Sequence, residues 1–328
     1  MAQEQIKQLE KEADTFLDEG KFTEAIAVYR KILDTDPNQD SALAMLGAIY
    51  GEMGDIPKAI ESLESAIEIN DSNADAWLTL GLIQQQTGDE TQALDSLRNA
   101  SKHAPDDAEI YFNLGNLLLK TDQKQEALES YVEAVRYNPQ HVKALFTSAS
   151  LFQENDDYKN AASGFQAVID LEPENLQAQR RLSNMLLKLQ HYPEAEKASL
   201  AAIKIHQDDP WLHARLATIY AAQLKFPEAL ESIQQARTLD PDSDEIEQRF
   251  AGILASQGEF EEALSTLQPM LDRDEPAFGA VINFSQFAHN LDKKDEAMAL
   301  IEKLKQDDEL TSSQQEKIAL AIEHLSTH

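Results

Sequence analysis

Residues 108–139 read AEIYFNLGNLLLKTDQKQEALESYVEAVRYNP. Apolar residues recur at helical spacing on both sides of a break at Thr121-Asp122-Gln123: Tyr111, Leu114 and Leu118 before it, and Ala127, Leu128, Tyr131 and Ala134 after it. The spacing predicts a helix A from Glu109 to Lys120 and a helix B from Lys124 to Tyr137. Two small residues, Gly115 and Ala127, stand where a soluble helix pair usually carries bulk. Helices folded back on each other at the break cross at those residues, and close approach of the backbones needs both side chains small; larger ones overpack the contact by ~1–3 kcal/mol.

The same arrangement returns every 34 residues. Ala25, Ala59, Ala93, Ala127, Ala161, Ala195, Ala229, Ala263 and Ala297 form one column, without insertion or deletion across nine copies. Twelve residues before each stands a small residue: Ala13, Gly47, Gly81, Gly115, Ala149, Ser183, Ala217, Ala251 and Ser285. Twelve residues after, proline appears at Pro37, Pro105, Pro139, Pro173 and Pro241. Gly20, Gly54, Gly88 and Gly258 fall in the turn between helices, as a helix C-terminus favours. Pro57, Pro193 and Pro227 fall at the start of helix B, where the missing N–H had no partner.

The pattern Trp77-x-x-Leu80-Gly81, followed by Ala93, Ala100 and Pro105, resembles the tetratricopeptide repeat (TPR) consensus. The resemblance covers about residues 6–311, with copies starting near 6, 40, 74, 108, 142, 176, 210, 244 and 278. It implies an all-α fold, an α-solenoid wound as a right-handed superhelix of about one turn, with helix A on the concave face and helix B outside. Residues 1–311 are assigned to the nine repeats and 312–328 to a C-terminal capping helix and tail. Ser313 and Glu316 fit a capping box for that helix, and Ile318, Ile322 and Leu325 form a narrow apolar stripe. Copies around Asn113-Leu114-Gly115-Asn116 are similar to the long arrays of O-linked N-acetylglucosamine transferases. Copy 5 departs from the pattern at Ser148, and copies 6, 7 and 8 carry Gln179, His213 and Glu247 in the column of Trp77, so the C-terminal copies are expected to pack less regularly.

The chain has 328 residues, 59 of them acidic against 28 basic, for a formal net charge of −31. Such a charge opposes general binding to nucleic acid and to anionic membranes. There is no cysteine, which excludes disulfides, thiolate catalysis and thiolate metal sites. MAQEQIKQLEKEAD carries no basic-then-apolar signal, and no stretch approaches the ~18 apolar residues that span a bilayer. A cytoplasmic protein is the expectation, a monomer favoured, its oligomeric state unspecified. The eight histidines, His103, His141, His191, His206, His213, His289, His324 and His328, form no HExxH pair and have no carboxylate at metal-site spacing. No glycine-rich phosphate loop appears. Paired acids such as Asp106-Asp107 and Asp208-Asp209 fall where helices begin and complement the helix dipole. No catalytic, metal or cofactor site is expected.

If helix A lines a groove, function lies in its inward columns. One of these reads Lys11, Met45, Thr79, Asn113, Thr147, Arg181, Arg215, Arg249 and Asn283, with arginine in three successive copies. Arg180, Asn184 and Lys188 add to that basic region. Upstream, Ala44, Leu78, Phe112 and Phe146 share a neighbouring column, with Leu82 one turn on from Leu78, and Asn113 and Asn116 flank them. Phe112 and Phe146 either pack between repeats or receive apolar side chains of a ligand. The arginines either answer nearby acids such as Glu174 and Glu245 or bind an anion. Trp211 either packs at the boundary of copies 6 and 7 or offers an aromatic surface. Peptide-clamping TPR proteins hold a terminal carboxylate with basic residues and asparagines from three successive copies. Arg180, Asn184 and Arg249 match that clamp, whereas Arg215 replaces an asparagine and Glu245 a lysine.

The leading expectation is a non-catalytic scaffold binding an extended, anion-bearing protein segment in the groove. A second is the docking arm of a transferase of the sulfotransferase or glycosyltransferase type. Bacterial enzymes of that kind carry such arrays, and DDELTSSQQEK (307–317) resembles the join in some of them. A third is a self-assembling scaffold.

Overall fold

The computed structural model describes residues 2–307 and 309–327, so that His328 lies outside the described residues. Among the described residues there are nineteen α-helices, one 3-10 helix and no strand. The chain divides into two compact units, Met1–Asp157 and Tyr158–His328. The first holds α1 (Ala2–Asp18), α2 (Phe22–Thr35), α3 (Asp40–Glu52), α4 (Ile56–Ile69), α5 (Ala74–Thr87), α6 (Glu90–His103), α7 (Ala108–Lys120), α8 (Lys124–Tyr137) and α9 (Val142–Glu154). The second holds α10 (Tyr158–Leu171), α11 (Leu176–Lys188), α12 (Tyr192–Ile205), α13 (Pro210–Ala222), α14 (Phe226–Leu239), α15 (Asp244–Gln257), α16 (Phe260–Leu271), α17 (Phe278–Phe287), the 3-10 helix (Ala288–Leu291), α18 (Lys294–Leu304) and α19 (Ser312–Thr327). Within each unit a helix packs on its neighbours in order, and helices of the A set also pack on the next A helix, as α3 does on α5.

The quoted stretch forms α7 and α8, and the break between them is a left-handed turn. Asp122 has φ 61°, and the Gln123 N–H donates back to the Leu118 carbonyl at 2.8 Å. The corresponding position has positive φ in every copy. Glycine fills it at Gly20, Gly54, Gly88 and Gly258; Asp122, Asp156, Gln190, Leu224 and Asp292 fill it elsewhere. For an L-residue this conformation costs roughly 1–2 kcal/mol. The turn therefore tolerates a strained residue rather than lengthen. Leu224 is the least suited, with its side chain 74% exposed and little burial in return.

The small columns mark the crossings. A Cβ built on Gly115 would lie 2.9 Å from Cε1 of Tyr131, and one on Gly47 would lie 2.4 Å from Cγ of Leu63. Tyr131 is fully buried and its hydroxyl donates to Asn116 Oδ1 at 2.7 Å. In copy 6 the large residue is replaced: Ser183 and Ser199, both fully buried, place their hydroxyls 2.6 Å apart. The A helices start on a further column, Asn73, Asp107, His141, Asn175 and Asp209. Each side chain accepts the N–H three residues on, from Ala76, Ile110, Ala144, Ala178 and Leu212.

The last two copies are less regular, whereas copies 6 and 7, which carry Gln179 and His213 in the column of Trp77, keep helices of the regular length. Pro269 stands inside α16, a longer link precedes α17, and α17 runs into the 3-10 helix. The capping box of α19 is not Ser313 with Glu316. Thr311 and Gln314 make it: the Gln314 N–H donates to Thr311 Oγ1 at 3.3 Å, and the Thr311 N–H donates to Gln314 Oε1 at 2.9 Å. The helix starts two residues earlier than that box required, which puts the same threonine-x-x-glutamine chemistry at its true first turn. Its buried side is Ile318, Ala321 and Leu325, with Ile322 only half-buried.

Candidate functional site

In the second unit, helices α11, α13, α15 and α17 place the basic residues. Asp209, 6% exposed, is the anchor. Its Oδ1 accepts the N–H groups of Trp211 and Leu212 at 2.9 and 3.3 Å, capping α13. Its Oδ2 accepts Nε and Nη2 of Arg180 at 2.9 and 2.6 Å. A buried carboxylate needs such a partner, so Arg180 is committed to tying α11 to α13.

Trp211 then sits between two cations: the guanidinium carbons of Arg180 and Arg215 lie 5.6 and 4.6 Å from its ring centre. Arg215 is half-buried, and its Nε is buried with no hydrogen-bond partner. Burial, and then the positive charge of Arg249, pull its pKa down to about 10, against the opposing pull of Glu245. Arg249 donates from Nη2 to Glu245 Oε1 at 2.6 Å and from Nη1 to Thr218 Oγ1 at 3.2 Å. Glu245 is exposed. Asn283 Nδ2 donates to the Gln248 carbonyl at 3.3 Å. Thr218, Glu245, Gln248, Arg249, Gly252 and Asn283 line a cleft of about 460 Å³. Of the remaining basic residues, Arg181 lies 5.7 Å over the ring of Phe165, and Lys188 is exposed. Asn184 is half-buried.

In the first unit, the apolar column is mostly packing. Phe112 contacts the rings of His141 at 4.5 Å and Tyr131 at 5.8 Å. Leu78 packs on the core that contains Leu97, Leu114 and Tyr131. Phe146 is half-buried, and Leu82, 37% exposed, is the more open residue. Asn113 Nδ2 donates to its own helix at the Glu109 carbonyl, 2.8 Å, while Asn116 Oδ1 accepts from Tyr131. These bonds leave the Asn113 oxygen and the Asn116 nitrogen unused.

Arg180, Trp211, Arg215 and Arg249 are thus brought into one connected series. The sequence left out Asp209 and Thr218. Asp209 was visible only as an acid before a helix; its burial, which makes it the partner of Arg180, depends on how α11 meets α13. Among the described residues no group of three His, Asp or Glu could hold a metal ion, and no helix is long and apolar enough to cross a membrane.

Residues 2–206 match the family model described as "Cilia and flagella-associated protein 70 C-terminal domain", a tetratricopeptide-repeat model, and residues 220–278 match one described as "Tetratricopeptide repeat". No curated protein sequence matches the chain. Among solved structures, a tetratricopeptide repeat protein from Parabacteroides merdae superposes with a TM-score of 0.59 at 18% identity, covering 77% of this chain and 100% of that one. The C-terminal part of a TPR repeat-containing protein from Cytophaga hutchinsonii gives 0.54 at 16% identity, covering 73% and 98%. YrrB, described as a TPR protein with an unusual peptide-binding site, gives 0.50 at 18% identity, covering 61% and 100%. At these identities the likeness is one of fold.

Proposed function

The chain belongs to the tetratricopeptide repeat family, and from that premise we propose that it is a non-catalytic scaffold holding an extended, anion-bearing protein segment along the face of α11, α13, α15 and α17. Arg215 carries the reading. Its guanidinium is stacked on Trp211, desolvated and close to a second arginine, and its Nε has no partner. A cation held that way is poorly compensated by the protein alone. A carboxylate or phosphate of a partner would supply the missing acceptor through two parallel hydrogen bonds, which suits arginine better than lysine. Arg249, paired with exposed Glu245, exchanges an internal carboxylate for the partner's. Arg181, Asn184, Lys188 and Asn283 extend the contact to either side. Leu78, Phe112, Phe146, Asn113 and Asn116 form a separate candidate strip in the first unit, weaker because Phe112 and Leu78 are engaged in packing. Peptide binding by YrrB is a precedent for this fold in that role. The charge of −31 disfavours nucleic acid as a partner, and the absence of cysteine suits a cytoplasmic setting.

The test is affinity capture from the native cell with the wild-type chain and with the Arg181→Ala/Arg215→Ala/Arg249→Ala variant. Partners of the groove should be recovered by the first and lost by the second, since a buried arginine–carboxylate contact contributes ~2–5 kcal/mol. Equal recovery of an authentic partner by both overturns the reading.

A further inference from the structure

Between α10 and α12 the repeat pattern is underfilled, through residues of three helices. Ala162 of α10 stands in a column that holds isoleucine, leucine or methionine in every other copy except copy 6, which has Glu196. Ala167 of α10 and Ala201 of α12 share a column that contains no alanine in the remaining copies. Ser199 of α12 stands where all other copies have tyrosine, leucine, phenylalanine or isoleucine. Gln179 of α11 takes the place of Trp77 and Tyr111. The result is a cleft of about 740 Å³, walled by Ala162 and Ala167 on one side and Ala201 on the other, with Leu182 and Leu186 of α11 in its floor. Its walls run from Ala162 to Asp170 and from Glu194 to Ala202, about two helical turns or roughly 12 Å.

Gln179 marks this cleft as more than a packing gap. It lines the cleft and is 5% exposed. Its Nε2 donates to the Pro173 carbonyl, as Trp77 Nε1 donates to the Asp71 carbonyl six residues before it. Oε1 is therefore the polar atom left to the floor, and it is buried with no hydrogen-bond partner. An acceptor kept in that state among leucines and alanines is costly, and a donor brought in by a ligand relieves it. At ~100° per residue, Gln179, Leu182 and Leu186 lie on the side of α11 opposite Arg181, Asn184 and Lys188, so the cleft is separate from the basic groove.

We propose that the cleft is a docking site for a basic amphipathic helix of a partner protein, anchored by a tryptophan. The cleft is open along its length, so it does not enclose a small molecule, and its two turns match the i, i+4, i+7 face of a helix. Alanines on both walls let a helix backbone come close while its large side chains reach Leu182 and Leu186. An indole only donates, which suits an amide oxygen whose own nitrogen is already engaged. The exposed rim carries Asp170 and Glu194 against Lys197, on a chain with a net charge of −31, and this favours a positively charged segment. A second copy of this chain is a poor occupant. Its two tryptophans, Trp77 and Trp211, are half-buried in their own packing, and its charge repels another copy.

The probe is a phage library of helical peptides with one randomised face, selected on the full chain and counter-selected on the Ala201→Trp variant. Ala201 is exposed, so the new ring fills the cleft from its wall and should leave the thermal transition unchanged. Peptides recovered on the wild type should carry tryptophan and a net positive charge. By fluorescence anisotropy they should bind Ala201→Trp at least tenfold more weakly. Methylating the indole nitrogen keeps the ring and removes the donor; this should weaken binding several-fold to the wild type and leave binding to Gln179→Leu unaffected. No enrichment over the counter-target, recovered peptides without tryptophan or with net negative charge, equal binding by Ala201→Trp, or the same methylation loss in Gln179→Leu overturns the proposal. So does a dimer by sedimentation that Ala201→Trp abolishes, which would make a second copy the occupant. None of these outcomes depends on Arg215 or its neighbours, so this cleft and the basic groove fail separately.

Discussion

The close crossing of α7 and α8 is testable by comparing two glycines. Gly252 lies inside α15, and a Cβ built on it meets nothing within 4 Å. Gly252→Ala should stabilise by about 1 kcal/mol, the helix-propensity difference alone. Gly115→Ala carries the same gain, but its Cβ would lie 2.9, 3.0 and 3.1 Å from Cε1, Cδ1 and Cζ of Tyr131. Ordinary carbon contacts begin near ~3.5 Å, so the ring must yield by roughly half an ångström. It has little room: Tyr131 is fully buried and its hydroxyl is held by Asn116. Overpacking of ~1–3 kcal/mol should make Gly115→Ala worse than Gly252→Ala by about that amount, and Gly115→Leu worse again. The array also contains the remedy, because Ala217 packs with Ile233, both fully buried, at the corresponding pair. Adding Tyr131→Ile to Gly115→Ala should therefore recover about 1 kcal/mol relative to the sum of the single changes. Guanidinium unfolding followed by circular dichroism, fitted with a nearest-neighbour model because an array need not unfold in one step, reads all five variants, Tyr131→Ile alone included. If Gly115→Ala stabilises as much as Gly252→Ala and shows no coupling to Tyr131→Ile, the crossing argument is wrong.

Asp209→Ala removes the cap of α13 and leaves Arg180 unpaired; a loss of about 2–4 kcal/mol is expected in the same unfolding assay, and a smaller one for Asp209→Asn, which keeps an acceptor for the backbone. Burial pushes the phenols of Tyr29 and Tyr131 up to about 12. Unfolded tyrosine ionises near ~10, so between these values the unfolded chain gives up protons that the folded chain keeps, and stability falls as pH rises. The unfolding midpoint should drop steadily over that window, and less so in Tyr131→Phe; a flat profile contradicts the burial. Leu224→Asn should be neutral or stabilising by up to ~1 kcal/mol, whereas Gly88→Val, at φ 91°, should destabilise by more than ~1 kcal/mol; thermal melts of the two decide it.

Helices and crossings were legible because each is written in one column of residue types repeated at fixed distance. The breaks at Asp122 and Leu224 were legible as breaks, but their left-handed backbone was not. Glycine announces that conformation, and aspartate or leucine in the same place is held there by hydrogen bonds such as that from Gln123 to Leu118. The Thr311–Gln314 cap was missed because two similar four-residue polar motifs, 311–314 and 313–316, overlap and only the first helical residue distinguishes them. At the basic site, the recurrence of arginine was readable, yet which arginine has an acceptor was not. That depends on buried Asp209 and on the Trp211 ring, both of which meet Arg180 across about thirty residues of sequence.

Packing that reaches no further than the next helix but one also governs how the chain can be made. A ribosome delivering ~5–20 residues per second releases a 34-residue pair in roughly 2–7 s, while helices form in about a microsecond. Each pair can therefore settle on its predecessor before the next emerges, with one raw apolar edge on the nascent chain at any moment. Synthesis order and folding order coincide, and a stalled nascent chain resembles a shorter array rather than a misfolded one.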